Sequence, residues 1–190
     1  MEPRPARADE LNAVVETLVS AFFDDPIWSW AFPDPALRRD QHRWMWRLCT
    51  ASSLRQSGVW TTPGYEAVTV WIPPGGEELS PQEEHEMEST VEPRIRELLH
   101  RFDAAHPRER PHWYLSLLGT HTDHRGKGIG MSLLRSNLAL FDAQGVPAYL
   151  ESSNNANDSR YESVGFERHG SFTTPDGSLS ITTMWREPRA

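Results

Sequence analysis

Cysteine is almost missing from this chain: Cys49 stands alone among 190 residues, so no internal disulfide can staple the fold. The first residues show no basic segment followed by an apolar run, so nothing suggests a secretory leader, and a cytoplasmic protein is expected. No stretch approaches the ~18 consecutive apolar residues of a membrane-spanning helix. Basic charge is also short, with 19 Lys and Arg against 27 Asp and Glu and a net charge of -8. The basic residues are dispersed, which argues against a nucleic-acid partner, because phosphate binding needs a basic face. Such a field suits a cationic small molecule. Internal repeats and low-complexity tracts are absent as well. What remains is a length that buries a real core without staples, and a single domain over residues 1–190 is expected.

Apolar residues recur at Leu11, Val14, Val15, Leu18 and Phe22, the three-and-four spacing of an amphipathic helix that Pro26 ends. Residues 24–30 read as a loop, and a second helix is expected over 35–54, with Pro35 in its first turn and Gly58 at its exit. Residues 59–62 and 66–72 alternate around Pro63-Gly64, the pattern of a hairpin closed by Pro73-Pro74-Gly75-Gly76. Residues 80–105 are charged and helix-prone, divided by Pro93, and read as a solvated excursion. A β-α-β unit follows: strand 113–118, a glycine-rich turn, helix 128–141 with Gly145 as its C-cap, and strand 147–151. A short helix over 158–164 and strands at 166–173 and 179–186, joined by Pro175-Asp176-Gly177, complete the chain.

The most informative stretch runs from Leu117 through Gly119-Thr120-His121-Thr122-Asp123-His124 to Arg125-Gly126-Lys127-Gly128-Ile129-Gly130. A strand that turns through glycines directly into a helix leaves first-turn N–H groups unpaired at the positive end of the helix dipole, and that arrangement grips a pyrophosphate. Glycine lets backbone approach phosphate closely and accepts positive φ. A dinucleotide fingerprint fails, because the turn lies past the middle of the chain and lacks the G-x-G-x-x-G spacing. A P-loop fails because Gly128, not Ser or Thr, follows Lys127.

Arg125-x-x-Gly128-x-Gly130 after a strand resembles the acetyl-CoA signature of the GNAT superfamily of N-acetyltransferases. Leu150-Glu151, then Asn154-x-x-Asn157-x-x-x-Tyr161-x-x-x-Gly165-Phe166, resembles that superfamily's second motif. A closer resemblance, to the puromycin N-acetyltransferase group, runs through Ala21-Phe22 to Pro26, Ala67-Val68-Thr69-Val70-Trp71, Pro111-His112-Trp113-Tyr114-Leu115, Asp123 to Gly128 and Gly145-Val146-Pro147-Ala148. Residues 80–105 match only loosely, so the acceptor's identity does not carry over. The resemblance implies an α/β (α+β) GNAT fold, with a mixed, strongly twisted sheet of about six to seven strands flanked by helices. In that fold the strands ending at Leu118 and Glu151 splay apart at the acetyl-CoA site. Pantetheine would pair with backbone at Leu118, Gly119 and Thr120, helped by a bulge near that strand end. N–H groups at Lys127, Gly128, Ile129 and Gly130 would face the pyrophosphate. Gly126 would permit close approach, Arg125 would position the loop or the phosphates, and Asn154 and Asn157 would be among the residues that bind the coenzyme.

The implied reaction moves acetyl directly from acetyl-CoA to a primary amine, with a small-molecule acceptor preferred. A regulatory acyl-CoA-binding module and a peptide N-acetyltransferase are the competing readings. An alkylammonium with a pKa near ~10 must lose a proton before attack, and the departing thiolate benefits from a donor. The resemblance assigns the donor's part to Tyr161, which otherwise is a core aromatic. Glu151 is the base candidate, or else a solvated strand-end carboxylate. Asp24 and Asp25 either bind the acceptor's charge or simply terminate the first helix. His121-x-Asp123-His124 reads as a set of turn residues rather than metal ligands, and no metal is expected. Cys49 has no evident base beside it, which disfavours an acyl-cysteine route. The eight tryptophans read as core and pocket lining. A homodimer is possible through residues 179–185, read as an edge strand.

Overall fold

The computed structural model describes residues 3–189. Its frame is a seven-stranded sheet in the order β1-β2-β3-β4-β5-β7-β6. The strands are β1 (Arg4–Pro5), β2 (Val59–Thr61), β3 (Ala67–Ile72), β4 (Trp113–Thr120), β5 (Ala148–Ser152), β6 (Glu167–Thr173) and β7 (Ser180–Arg186). Neighbours pair antiparallel except β4 and β5, which are parallel and joined by the crossover helix α6 (Ile129–Gln144). Gly145 at φ 67 forms its C-cap, as the sequence predicts. Among the described residues no helix is long and apolar enough to cross a membrane.

Two apolar layers cover the sheet. On one face Leu134, Leu138 and Phe141 of α6 pack on Trp71, Trp113, Leu115 and Leu150. On the other face Val68, Val70 and Leu117 meet helices α1 (Leu11–Phe22), α2 (Pro26–Ala31), α3 (Pro35–Arg55), α4 (Pro81–Thr90) and α5 (Pro93–Ala105). Gly58, between α3 and β2, has a steric reason to be glycine: a Cβ there would lie 1.9 Å from the Trp71 carbonyl oxygen.

Three expectations are corrected. Residues 24–30 are not all loop, because Pro26 opens α2 as its N1 residue while the Asp25 carboxylate accepts from the N–H groups of Ile27 and Trp28 at 3.0 and 3.2 Å. Residues 80–105 are not a solvated excursion. Ser80 and Glu83 form a capping box on α4, and the stripe Met87, Val91, Ile95, Leu98 is buried across the Pro93 break. That spacing of four, four and three puts one apolar face of α4 and α5 on the core. Residues 179–185 are not an edge either, because β7 lies between β5 and β6 and its backbone bonds are used on both sides. The outer strand is β6.

The feature that creates a site is a β-bulge. Trp71 pairs with Leu115 and Val70 with Leu117, so Ser116 is an extra residue in β4. An extra residue reverses the facing of those that follow: Leu115 belongs to the α6 layer, Leu117 to the α1 layer. Pairing of β4 with β5 stops at Leu115 with Leu150, and beyond that point the two strands separate.

Candidate active site

The turn before α6 has the geometry of an anion site. Gly126 and Gly128 sit at φ 77 and φ 72, Gly128 is the N-cap, and nothing lies within 4 Å of a Cβ built on either. The first helical bond runs from Ser132 N–H to the Gly128 carbonyl, so the N–H groups of Ile129, Gly130 and Met131 precede the helical ladder and point out of its end. Open space, free donors and the positive end of a 16-residue helix fit a pyrophosphate. The turn is anchored to α1: Arg125 Nη2 donates to the Ala21 carbonyl at 2.6 Å, and Thr122 N–H donates to Ser20 Oγ at 3.2 Å. Arg125 therefore holds the loop. His121, Asp123 and His124 belong to a short 3-10 turn, in which His121 Nδ1 accepts from the Asp123 N–H at 3.4 Å.

From this turn a cleft of about 1760 Å³ runs through the opening between β4 and β5 to the helices of the other face. Leu118, Thr120, Arg125, Gly126, Gly128, Ile129 and Gly130 line it, as do Asn154, Asn157, Glu151 and Tyr161. Two residues of the expected set do not. Gly119 is turned to α1, where a Cβ would come within 2.9 Å of the Ala21 methyl, and Lys127 points away with Nζ 3.4 Å from the Asp123 carbonyl oxygen. Strand alternation and an exposed turn decide both.

Glu151 alternates with Leu150 on β5, so its side chain enters from the α1–α5 face. It is 2% exposed, Oε1 has no hydrogen-bond partner among the described residues, and burial pushes its pKa up to about 8. The phenols of Tyr114 and Tyr149 temper that rise, while the charge of Glu78 adds to it. A carboxyl held near neutrality inside a cleft has the acidity of a general base. Tyr161, on helix α7 (Asp158–Glu162), approaches from the other side, packed against the α6 layer with its ring edge-on to Phe166 at 6.2 Å. Burial, with Asp25 and Asp158 nearby, raises its pKa, so the phenol keeps its proton. Carboxyl and phenol thus bracket the opening from opposite faces of the sheet.

Residues 104–186 match the sequence profile of the Acetyltransferase (GNAT) domain. Over 88 residues the chain is 33% identical to an uncharacterised N-acetyltransferase of Schizosaccharomyces pombe; this covers 45% of the chain and 36%, about a third, of that relative. Among solved structures it is similar to "histone acetyltransferase HPA2 and related acetyltransferase" from Corynebacterium glutamicum, with TM-score 0.72, 24% identity and 99% and 96% of the two chains covered. It is similar also to arylalkylamine N-acetyltransferase 2 from Aedes aegypti, with TM-score 0.69, 15% identity and 99% of each chain covered. An agmatine N-acetyltransferase gives TM-score 0.70 at 13% identity, with 98% of each chain covered. The fold is the GNAT fold. The profile match runs through β4, α6, β5, α7, β6 and β7.

Within this GNAT fold the remaining expected residues have structural duties. Asn154 Oδ1 accepts from the Ala156 N–H at 3.1 Å, and Asn157 Oδ1 accepts from Arg160 at 3.0 Å, so both shape the cleft rim. Asp25 spends one oxygen on the α2 cap, and its other oxygen accepts from Ser153 Oγ at 2.7 Å, tying α2 to the end of β5 across the opening. Asp24 is exposed. Cys49 is buried and its thiol is pushed up by burial, which removes it as a nucleophile.

Sequence reasoning missed Glu78, His106 and His112. Glu78 lies in the loop after β3, solvent-exposed at the mouth of the cleft, where the bulged Ser116 donates to it at 2.5 Å and the surrounding protein raises its pKa. His106, at the end of α5, lies beside Glu151, and His112, just before β4, meets His106 behind it. No local motif marks any of the three, because only the bulge and the α5 wall bring them to β5. The outer wall of the cleft is apolar, made by Phe22, Trp28, Trp46, Met87, Leu99 and Phe102.

Gly128 and Gly130 separate in a direct test. A Cβ at Gly130 would meet Thr120 Oγ1 at 2.4 Å, so bulk there harms packing, whereas Gly128 faces open space. Gly128→Ala is expected to cost ~1–2 kcal/mol of left-handed backbone strain, seen as a small fall in melting temperature. It should also weaken acetyl-CoA binding about tenfold or more in calorimetry, a loss of ~1.4 kcal/mol. Unchanged affinity would remove the turn from the coenzyme site.

Proposed function

We propose that the protein is an acetyl-CoA-dependent N-acetyltransferase that moves acetyl directly to the primary amine of a cationic small molecule with an apolar body. The observation that carries this reading is a single continuous cleft joining the glycine turn of α6 to the buried Glu151 carboxyl through the opening between β4 and β5. Acetyl-CoA, when bound, supplies an acetyl group activated as a thioester. Ile129, Gly130 and their neighbours would hold its diphosphate, and β4 beyond Leu115 would offer the pantetheine an open strand edge. Glu151 would take the ammonium proton, and Tyr161 would protonate the departing sulfur. The arylalkylamine and agmatine enzymes among the structural neighbours act on amines by their names, which supports an amine acceptor. The resemblance to the puromycin N-acetyltransferase group points the same way. The apolar wall from α1–α5 opposite two carboxyls supports an acceptor with one charged end and one greasy end.

Release of free thiol from acetyl-CoA across a panel of amines tests the reading. Turnover with arylalkyl or alkyl amines but not with peptides is expected. Coenzyme binding without any turnover would leave a regulatory module, and turnover on peptides alone would reverse the choice of acceptor.

Glu78 has a separate signature. It faces the same space as Glu151, and its charge is one cause of that group's raised pKa. Glu78→Gln keeps an oxygen for Ser116 to donate to but removes the charge. The acceptor KM is expected to rise about tenfold, in line with loss of one charge contact of ~1.4 kcal/mol. The acid limb of the kcat/KM profile should move to lower pH, because Glu151 then ionises more easily. A profile that stays in place would dissociate Glu78 from the base.

A further inference from the structure

Acetylating an ammonium group releases one proton per turnover. A C–N bond forms and the C–S bond breaks. Of the three protons on nitrogen, one stays on the amide, one is balanced by the proton the sulfur needs, and one leaves. With Glu151 as base, the reading on which this inference rests, that last proton ends on a carboxyl that is 2% exposed and is enclosed further by both substrates. The carboxyl has to be emptied before the next ammonium arrives.

The group beside it is His106, at the C-cap of α5. Its Nδ1 lies 3.9 Å from Glu151 Oε1, the same oxygen that lacks a hydrogen-bond partner. Its Nε2 lies 3.2 Å from His112 Nε2, and His112 Nδ1 lies 2.7 Å from the Arg110 carbonyl oxygen. A carbonyl oxygen only accepts, so His112 Nδ1 carries a hydrogen and, in the neutral ring, Nε2 is bare. His106 Nε2 must then be the donor between the rings, which leaves His106 Nδ1 bare and facing Glu151. One backbone carbonyl thereby sets the tautomer of both imidazoles. The His106 ring is held edge-on between Tyr114 and Tyr149 at 4.8 and 5.2 Å, and Tyr149 Oη donates to the Ala105 carbonyl at 3.2 Å.

We propose that His106 Nδ1 takes the proton from Glu151 and that the imidazolium then gives the Nδ1 proton to water at the open side of the wall, returning to the tautomer that His112 and the Arg110 carbonyl impose. Its side chain is 21% exposed against 2% for Glu151, so it spans the buried and the wet side of the wall. A carboxyl movement of about 1 Å brings the two atoms into hydrogen-bond range. Burial, with His112 and Arg108 close by and only Asp103 opposing, holds His106 down to about 4, so the imidazolium sheds its proton at once. From a group near 8 to one near 4 the step is uphill. The penalty is a factor of ~10⁴ in the equilibrium between the two groups, and loss of the proton to solvent draws the transfer forward.

The test compares His106→Phe, His106→Ala and Glu151→Gln in the full chain with acetyl-CoA and the best amine. His106→Phe keeps an aromatic ring between the tyrosines. It is expected to retain acetyl-CoA affinity while kcat falls about tenfold or more and becomes dependent on buffer concentration. In His106→Ala, added imidazole should restore kcat in proportion to its free base. Should the Phe variant fail to fold, imidazole rescue of the Ala variant decides alone. Wild-type kcat in a folded His106 variant, or a loss that neither buffer nor imidazole repairs, overturns the relay. An inactive Glu151→Gln beside fully active His106 variants sinks the relay only. A fully active Glu151→Gln sinks the base and the relay together.

Discussion

Tyr161→Phe is expected to lower kcat by ~10²–10⁴-fold, the usual worth of a general acid, while acetyl-CoA affinity and melting temperature stay nearly constant. The ring makes the contacts: it packs against the α6 layer and meets Phe166 at 6.2 Å. Nearby backbone bonds use the Tyr161 carbonyl, which accepts from Val164 and Phe166 and is untouched by the change. Tyr161 is half-buried and lines the cleft, so removing its hydroxyl opens no void in the core. Burial raises the phenol's pKa, and the same dry surroundings make a departing thiolate more basic, so donor and acceptor stay matched. Steady-state kinetics with calorimetry of acetyl-CoA binding checks the result. Full activity would hand the proton's delivery to water or another group. Joint loss of fold and coenzyme binding would make Tyr161 structural.

Glu151→Gln should lose kcat/KM for the acceptor by a comparable ~10²–10⁴-fold, because the amide oxygen cannot take up a proton at neutral pH. In the wild-type enzyme kcat/KM should rise with pH and level off above a limb near 8, where the free Glu151 ionises. A bound ammonium favours the carboxylate, so the limb in kcat should lie lower than the limb in kcat/KM. The Gln variant should lack both limbs. Stability supplies an independent reading. The unfolded chain releases the Glu151 proton near the ordinary 4.5, whereas the folded chain holds it to about 8. Between those values the native state binds more protons, so this group's contribution is complete at low pH and is lost as pH rises through about 8. Glu151→Gln removes that loss, so its melting temperature should gain on the wild type as pH climbs through the window. Thermal melts across pH check this, and a difference that does not vary with pH would place the carboxyl's pKa back in the ordinary range.

The stretches legible in advance are those in which neighbouring residues interact. The stripe at Val14, Val15 and Leu18, the Pro35 start, the Gly145 cap and the turn before α6 all follow from helical periodicity and from where the backbone needs positive φ. The strand-turn-helix order over residues 113–144 was readable for the same reason, and it places the proposed coenzyme site. Two expectations failed because a local signal was read with the wrong weight. Asp25-Pro26 marks a helix start as well as a helix stop, and the charge of residues 80–105 hides the buried stripe that crosses Pro93.

By itself, then, the sequence determined the β-α-β unit and the glycine turn, because each depends on spacing among neighbouring residues, while Tyr161 is a candidate through the family resemblance of its motif and Glu151 through its place at the end of the neighbouring strand. Only the tertiary structure decided the acceptor half of the cleft. The extra residue Ser116 turns β4 over and donates to Glu78, the strands part beyond Leu115 and Leu150, and the end of α5 sets His106 3.9 Å from Glu151. Those neighbours lie between 38 and 45 residues apart in the chain, Ser116 from Glu78 and Glu151 from His106. No periodic pattern reports such contacts. The raised acidity of Glu151 comes from the burial they create, and burial belongs to the packed chain rather than to any segment of it.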